Sequence, residues 1–200
     1  DYIRPGMTEK QIAREIDYFY YKHSEGLSFD TIVASGENSS KPHAIPSDRK
    51  IQKNDIITID MGCKIKGYCS DMTRTIFVGD VPEEMKKVYE LVLKNQEQVL
   101  QDMRDGANTK QISKMVDNDF RLHNFDLIHA LGHGVGLDIH EGPVLSINSE
   151  HTLKEKMIVT DEPGIYIPGQ FGVRIEDTVQ IFKGSCEPLT KSPKKIIVIK

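Results

Sequence analysis

Thr58-Ile59-Asp60-Met61-Gly62 and, about one hundred residues later, Thr160-Asp161-Glu162-Pro163-Gly164 share one pattern, Thr-x-acid-x-Gly. Working outward, the likeness continues on both sides. Asp71-x-Thr73 recurs as Glu176-x-Thr178, and Phe77-x-Gly79 as Phe182-x-Gly184. Upstream, His43-x-x-Pro46 recurs as His140-x-x-Pro143, and Phe29-Asp30-x-Ile32-x-Ala34 as Phe125-Asp126-x-Ile128-x-Ala130. Arg4-x-Gly6 with Lys10-Gln11-Ile12 returns as Arg104-x-Gly106 with Lys110-Gln111-Ile112. The six pairs keep their order, and their offset drifts only between 96 and 105 residues, as small loop insertions make it do. Chance matches do not stay collinear, so the chain is written twice.

Each copy reads alike in secondary structure. Thr8 and Asn108 are N-cap residues with Gln11 and Gln111 three positions on, which opens a helix in each half. Ile12, Ile16, Phe19 and His23 share one face of the first helix, as Ile112, Val116 and Phe120 share one face of the other. Strands are predicted over 28–34 and 55–59, then over 126–131 and 156–160. A longer helix is predicted from Pro82 to about Met103, with Met85, Val88, Val92, Val99 and Met103 at helical spacing. It precedes the second copy; its counterpart before the first would lie ahead of residue 1, so the full-length protein is expected to begin upstream. The fold class is α+β: one domain, residues 1–200, of two pseudo-twofold-related halves, about 1–100 and 101–200.

Composition narrows the function. With 38% hydrophobic and 28% charged residues the chain can bury a core. A net charge of −4 and a pI near 6.0 lack the basic footprint of a nucleic-acid binder. No apolar run approaches the roughly 20 residues that a membrane helix needs. Cys63, Cys69 and Cys186 are odd in number and without metal-type spacing, which favours a reducing compartment, the cytoplasm.

Duplication sets Asp60 against Glu162 and Asp71 against Glu176. A lone Asp on a strand-like run is ordinarily solvated or in a turn; four acids in duplicate register on strands meeting at a pseudo-axis are different. Acids that close raise one another's pKa unless cations neutralise them. Carboxylates with one imidazole suit Mn²⁺ or Co²⁺ ahead of a Cys-type zinc site, with Zn²⁺ still an option. The imidazole is His133, inside Gly132-His133-Gly134-Val135-Gly136, whose partner in the first copy is Glu37; the glycines are read as letting the backbone approach the site. His43 and His140 are symmetric and are placed beside the metals, against a substrate carbonyl and its leaving group. His23, His123 and His151 are structural, and His129, on a predicted buried strand, suits a core and a supporting role equally. His140-Glu141 lacks the second His of a zinc-protease helix, and Gly132–Gly136 lacks the spacing of a dinucleotide loop.

At these residues the chain resembles the pita-bread metallopeptidases, and among them the Xaa-Pro dipeptidases (prolidases) and Xaa-Pro aminopeptidases. The resemblance spans essentially all 200 residues. It rests on Asp60-Met-Gly62, Gly67-Tyr-Cys-Ser-Asp71-Met-Thr-Arg-Thr75, Gly132-His-Gly-Val-Gly-Leu-Asp-Ile-His-Glu141, Glu162-Pro-Gly-Ile-Tyr166 and Val173-Arg-Ile-Glu-Asp177. It implies the pita-bread fold, two divalent ions on Asp60, Asp71, His133, Glu162 and Glu176, and assistance from His43 and His140 at the scissile amide. It also implies Arg174 as a substrate-binding residue and a homodimer in the full-length protein. The activity implied is hydrolysis of the bond before proline in a proline-containing peptide, by a metal-bridging hydroxide, with Glu162 shuttling the proton. Methionine aminopeptidases share the fold, as do creatinase-like enzymes and pita-bread modules that only bind proteins, but the complete ligand set weighs against the last two. A calcium site serving stability alone predicts no hydrolysis with Mn²⁺. Two features depart from the pattern. Xaa-Pro enzymes usually carry a separate N-terminal domain that is missing from these residues, and position 161, usually apolar, is Asp161; strand alternation beside Glu162 turns it away from the metals.

Overall fold

In the computed structural model of the protein, residues 2–199 are described. Helix α1, Glu9–His23, opens on a reciprocal capping box between Thr8 and Gln11. Its buried side is narrower than the periodicity predicts. Ile12 and Ala13 are covered, whereas Phe19 is 57% exposed and stacks on His23 instead. Strand β1, Ile32–Ser35, follows, then a short 3₁₀ helix, Gly36–Ser40, and β2, Ile56–Met61. A small hairpin, β3 (Lys64–Ile65) and β4 (Tyr68–Cys69), leads to β5, Met72–Val78. Helix α2, Glu83–Asp102, starts directly after Pro82 with two glutamates in its first turn, where the helix dipole favours them. Helix α3, Thr109–Leu122, is capped by the Asn108 side chain on the Gln111 amide.

The second half then lays down β6 (Gly132–Gly134), β7 (Glu141–Leu145), β8 (Ile158–Asp161), β9 (Gly164–Ile167), β10 (Phe171–Arg174), β11 (Asp177–Ile181), β12 (Cys186–Pro188) and β13 (Val198–Ile199). One sheet runs β1-β2-β5-β13 and the other β12-β11-β8-β6-β7, with β9 and β10 a separate hairpin. The strand predicted over 126–131 is a correction: the strand of this region is β6, further along. Its backbone bonds begin only at Leu131, which takes the Leu145 carbonyl on one side and receives the Glu162 amide on the other.

The halves are alike in strands and unlike in cover. Helix α1 shields Val33, Ile57, Ile59 and Ile76 of the first sheet, whereas α2 and α3 jointly bury Val159, Val179, Ile181 and Leu145 of the second. Threonines lock the halves where they meet. Thr75 Oγ1 donates to the Arg174 carbonyl and accepts from the Arg174 amide, and Thr73 Oγ1 donates to Glu176. This seam carries the acids. Asp60 pairs with Thr73 across β2 and β5, and Asp71 lies just before β5. Glu162 and Glu176 sit one residue beyond the Asp161–Asp177 pair that closes β8 against β11.

Candidate metal centre and active site

Asp60, Asp71, His133, Glu162, Glu176, His43, His140 and Arg174 all line one cleft of about 690 Å³. At its floor His133 carries the deciding geometry. Its Nδ1–H donates to the Gly134 carbonyl, 3.0 Å away, which leaves the Nε2 lone pair facing Asp71 Oδ2 at 3.5 Å and Glu162 Oε1 at 3.4 Å. Burial lowers the pKa of this imidazole, which keeps Nε2 bare. Three electron-rich atoms facing one another at such distances form a donor set that a divalent cation suits. Donor atoms of Asp71, His133 and Glu176 lie within 4.8 Å of one another, and Asp60 Oδ1 is buried without a hydrogen-bond partner. The residues present therefore fit divalent metal.

The electrostatics agree. Burial, then the charges of Asp60 and Glu162, push Asp71 up to about 9. Burial raises Glu162 to about 7, against the opposing charge of Arg174. Burial together with Asp71 and Glu162 takes Glu176 well above the usual carboxylate range. Each acid is also held in place. Thr160 Oγ1 donates to Glu162 Oε1, Thr73 Oγ1 to Glu176 Oε2, and Arg174 Nη2 to Asp60 Oδ2 at 2.8 Å.

Arg174, expected to contact substrate, spends its donors on the protein. Nε donates to Thr73 Oγ1, Nη1 to the Pro42 carbonyl and the Tyr166 hydroxyl, and Nη2 to Asp60. It thereby ties the loop before His43 to a metal-side acid. Tyr166 passes the chain on, donating to His129 Nε2 at 3.0 Å while His129 Nδ1–H bonds the Ala130 carbonyl. Burial drives His129 down to about 4, so it stays a neutral acceptor. Sequence assigns Tyr166 no role; its signal is its place in the motif Glu162-Pro-Gly-Ile-Tyr166, and the structure ties it through Arg174 to Asp60.

His43 and His140 are both exposed in the cleft, and the His140 ring lies 4.4 Å from that of His133. Glu37, the repeat partner of His133, is elsewhere: it is exposed on the 3₁₀ helix, because the first half leaves its sheet at Gly36 where the second half stays paired. The glycines beside His133 serve packing of strand on strand. A Cβ on Gly132 would lie 2.1 Å from the Thr160 carbonyl oxygen, and one on Gly134 2.3 Å from that of Gly142. Asp161 is fully buried and does not line the cleft, and both its oxygens lack a hydrogen-bond partner. The upper walls are apolar, with Phe29, Ile32, Ile45, Ile139 and Val144.

A model of metallopeptidase family M24 matches residues 1–183. The chain is 40% identical over 198 residues to the Xaa-Pro dipeptidase of Pyrococcus furiosus, covering 98% of this chain and 57% of that protein. Among solved structures it is similar to the X-Pro aminopeptidase of Thermotoga maritima, at 41% identity and a TM-score of 0.95, with 98% of this chain and 57% of that one covered. The Xaa-Pro dipeptidase of Bacillus anthracis gives 40% identity and a TM-score of 0.96, with 99% and 57% covered. The chain thus spans a little over half the length of the relatives it matches, and its fold is theirs.

Proposed function

Because this chain belongs to metallopeptidase family M24, we propose that it is the catalytic domain of an Xaa-Pro peptidase, hydrolysing the bond before proline in dipeptides or at the N-terminus of longer peptides. The observation that carries the metal chemistry is the bare Nε2 of His133 set against Asp71 and Glu162. Asp60, Asp71, His133, Glu162 and Glu176 would hold two divalent ions, Mn²⁺ in preference to Co²⁺ or Zn²⁺. Such ions supply a water of lowered pKa as the nucleophile and polarise the scissile carbonyl.

The chain's own side chains do the rest. Glu162, steadied by Thr160, takes the proton of the attacking water and delivers it to the leaving prolyl nitrogen. His140, packed on His133, and His43, anchored through Pro42, point imidazoles into the cleft to orient the carbonyl and the amide before proline. Arg174 serves this reading as a clamp on Asp60, Tyr166 and Pro42, with its remaining N–H toward substrate. A prolyl amide has no N–H to satisfy and a fixed ring, which suits walls of Phe29, Ile32 and Ile139. The full-length protein is proposed to act as a homodimer in the cytoplasm on a peptide substrate. Among the described residues no helix is long and apolar enough to cross a membrane.

The test is Mn²⁺-dependent hydrolysis of Ala-Pro and Ala-Pro-Gly by the full-length protein, with Glu162→Ala as control and Met-Ala as the competing substrate. Cleavage before proline that falls to background in the control supports the reading. Cleavage of Met-Ala alone would make the chain a methionine aminopeptidase, and no cleavage by the metal-loaded protein would leave a binding module.

A further inference from the structure

One buried acid stands outside the metal cleft and outside the chemistry above. Glu9, 0% exposed, opens α1, and its two oxygens divide between the ends of the segment that follows β1. Oε1 accepts from the Ser35 amide and hydroxyl, both at 2.7 Å, while Oε2 accepts from the Ser47 amide at 2.9 Å and the Ser47 hydroxyl at 2.6 Å. The Asn38 side-chain amide reaches both oxygens at 3.2 Å. Hydrogen bonds to an ionised acceptor are roughly twice as strong as neutral ones. One carboxylate thus closes the loop 36–46 at its neck.

That loop is a wall of the cleft, which Pro42, His43, Ala44, Ile45 and Pro46 all line. No sheet holds it, since among the described residues no strand lies between Ser40 and Ile56. The Ala44 amide bonds the Lys41 carbonyl, the Pro42 carbonyl takes Arg174 Nη1, and Ser47 is the anchor that follows. The second half carries its imidazole differently. His140 leads straight into β7, which is paired with β6. The residue that matches Glu9 in the repeat, one before Lys110-Gln111-Ile112, is Thr109. It is equally buried but neutral, and its hydroxyl donates to the His151 carbonyl and accepts from the His151 amide. A charge stands where the imidazole rides on a loop, and an uncharged residue where a strand carries it.

We propose that Glu9 is a positioning residue for His43: by holding Ser35 on one oxygen and Ser47 on the other, it fixes the loop in the shape that turns the imidazole into the cleft. The role rests on the reading of His43 given above. Glutamine has the same size but a single acceptor oxygen, and its amide N–H₂ meets the donors of one of the two serines, so that one end of the loop comes free.

The experiment is steady-state hydrolysis of Ala-Pro and Ala-Pro-Gly by the Mn²⁺-loaded full-length protein, each variant first checked as folded by circular dichroism and assayed well below its melting temperature. Glu9→Gln is expected to lower kcat by about ten- to a hundredfold, up to the loss that a misplacement of about 1 Å brings, with a smaller change in KM. Ser47→Ala, which loosens one end from the loop side, loses part of the rate and serves if Glu9→Gln does not fold. In a His43→Gln background, Glu9→Gln costs at most about twofold more, because the group it positions is gone. Ile12→Val, which trims the buried face of the same helix without touching the loop, keeps the wild-type kcat and KM, and calorimetric titration gives Glu9→Gln the wild-type affinity for Mn²⁺. Wild-type kcat in both Glu9→Gln and Ser47→Ala overturns the role of Glu9. So does the full loss repeated in the His43→Gln background, an equal loss in Ile12→Val, or a fall in Mn²⁺ affinity that matches the fall in kcat. No cleavage of either peptide by the wild-type protein would instead count against the peptidase reading on which the role rests.

Discussion

Glu9 is the first residue of α1 and by position an ordinary helix-opening acid, yet it is fully buried. Its carboxylate accepts from the Ser35 amide and hydroxyl and from the Ser47 amide and hydroxyl, all between 2.6 and 2.9 Å, and from Asn38. It thus pins both ends of the loop that carries His43. Burial alone would raise its pKa; the hydrogen bonds from Ser47 and Ser35 outweigh that and hold it below 4.5. A carboxyl depressed in the folded state stabilises the fold above its unfolded pKa, and the gain is lost as pH falls through the folded value. Glu9→Gln is therefore expected to lose about 1–3 kcal/mol at pH 7 and to show a flatter decline than wild type below about pH 4.5. Urea unfolding at pH 7, 5 and 3.5 measures both; parallel pH curves would show that the carboxylate does not matter. Sequence could not reveal Glu9, because nothing in its neighbours marks five distant donors turning inward. The site acids were legible for the opposite reason. Asp60, Asp71, Glu162 and Glu176 stand in matched registers of a repeat, and the eight residues named from sequence do line a single cleft.

At the scale of elements, helices were easier to read than strands. Thr8, Asn108 and Pro82 mark the helix starts chemically, and the structure begins α1, α3 and α2 directly after them. Strand β6 had no such mark. Gly-His-Gly has among the weakest strand propensities, while the preceding Asp126–Leu131 looks better and forms no ladder. The glycines win because they permit the close approach of β6 to β8 at Gly132 and to β7 at Gly134. Gly132→Ala places a methyl against the Thr160 carbonyl, a backbone atom that cannot swing aside. It is expected to destabilise the protein by about 1–3 kcal/mol through overpacking, and to weaken Mn²⁺ binding because His133 rides on the same strand. A urea midpoint unchanged from wild type would contradict this. The hairpin β9–β10 was also not foreseen as strands, although it delivers Tyr166 and Arg174 to the acids.

For the molecule as a whole, the uncompensated acids are expected to make metal a stabilising ligand, in addition to the catalytic role proposed for it. Mn²⁺ at about one hundred times its dissociation constant should add about 2.7 kcal/mol, which for a domain of this size raises Tm by about 5–10 °C. A thermal melt with Mn²⁺, with EDTA, and with Glu162→Ala plus Mn²⁺ measures it. The variant should lose most of the rise, and equal melting in all three would argue that no ion binds. The repeat foretold two related halves at this scale but not their unequal cover, since α2 and α3 both serve the larger core. Nor did it foretell β13, which follows the last repeated motif and has no counterpart in the first half.

That strand carries a cost in time. Val198 and Ile199 lie parallel to Phe77 and Val78 and cover the free side of β5. A ribosome delivers β5 early and its cover only after nearly all of the second half, so through most of synthesis the first sheet presents an unpaired edge of Ile76, Phe77 and Val78. A nascent chain halted before residue 198 is therefore the form most exposed to pairing with a neighbour on the same messenger, and the closing strand acts as the release from that hazard.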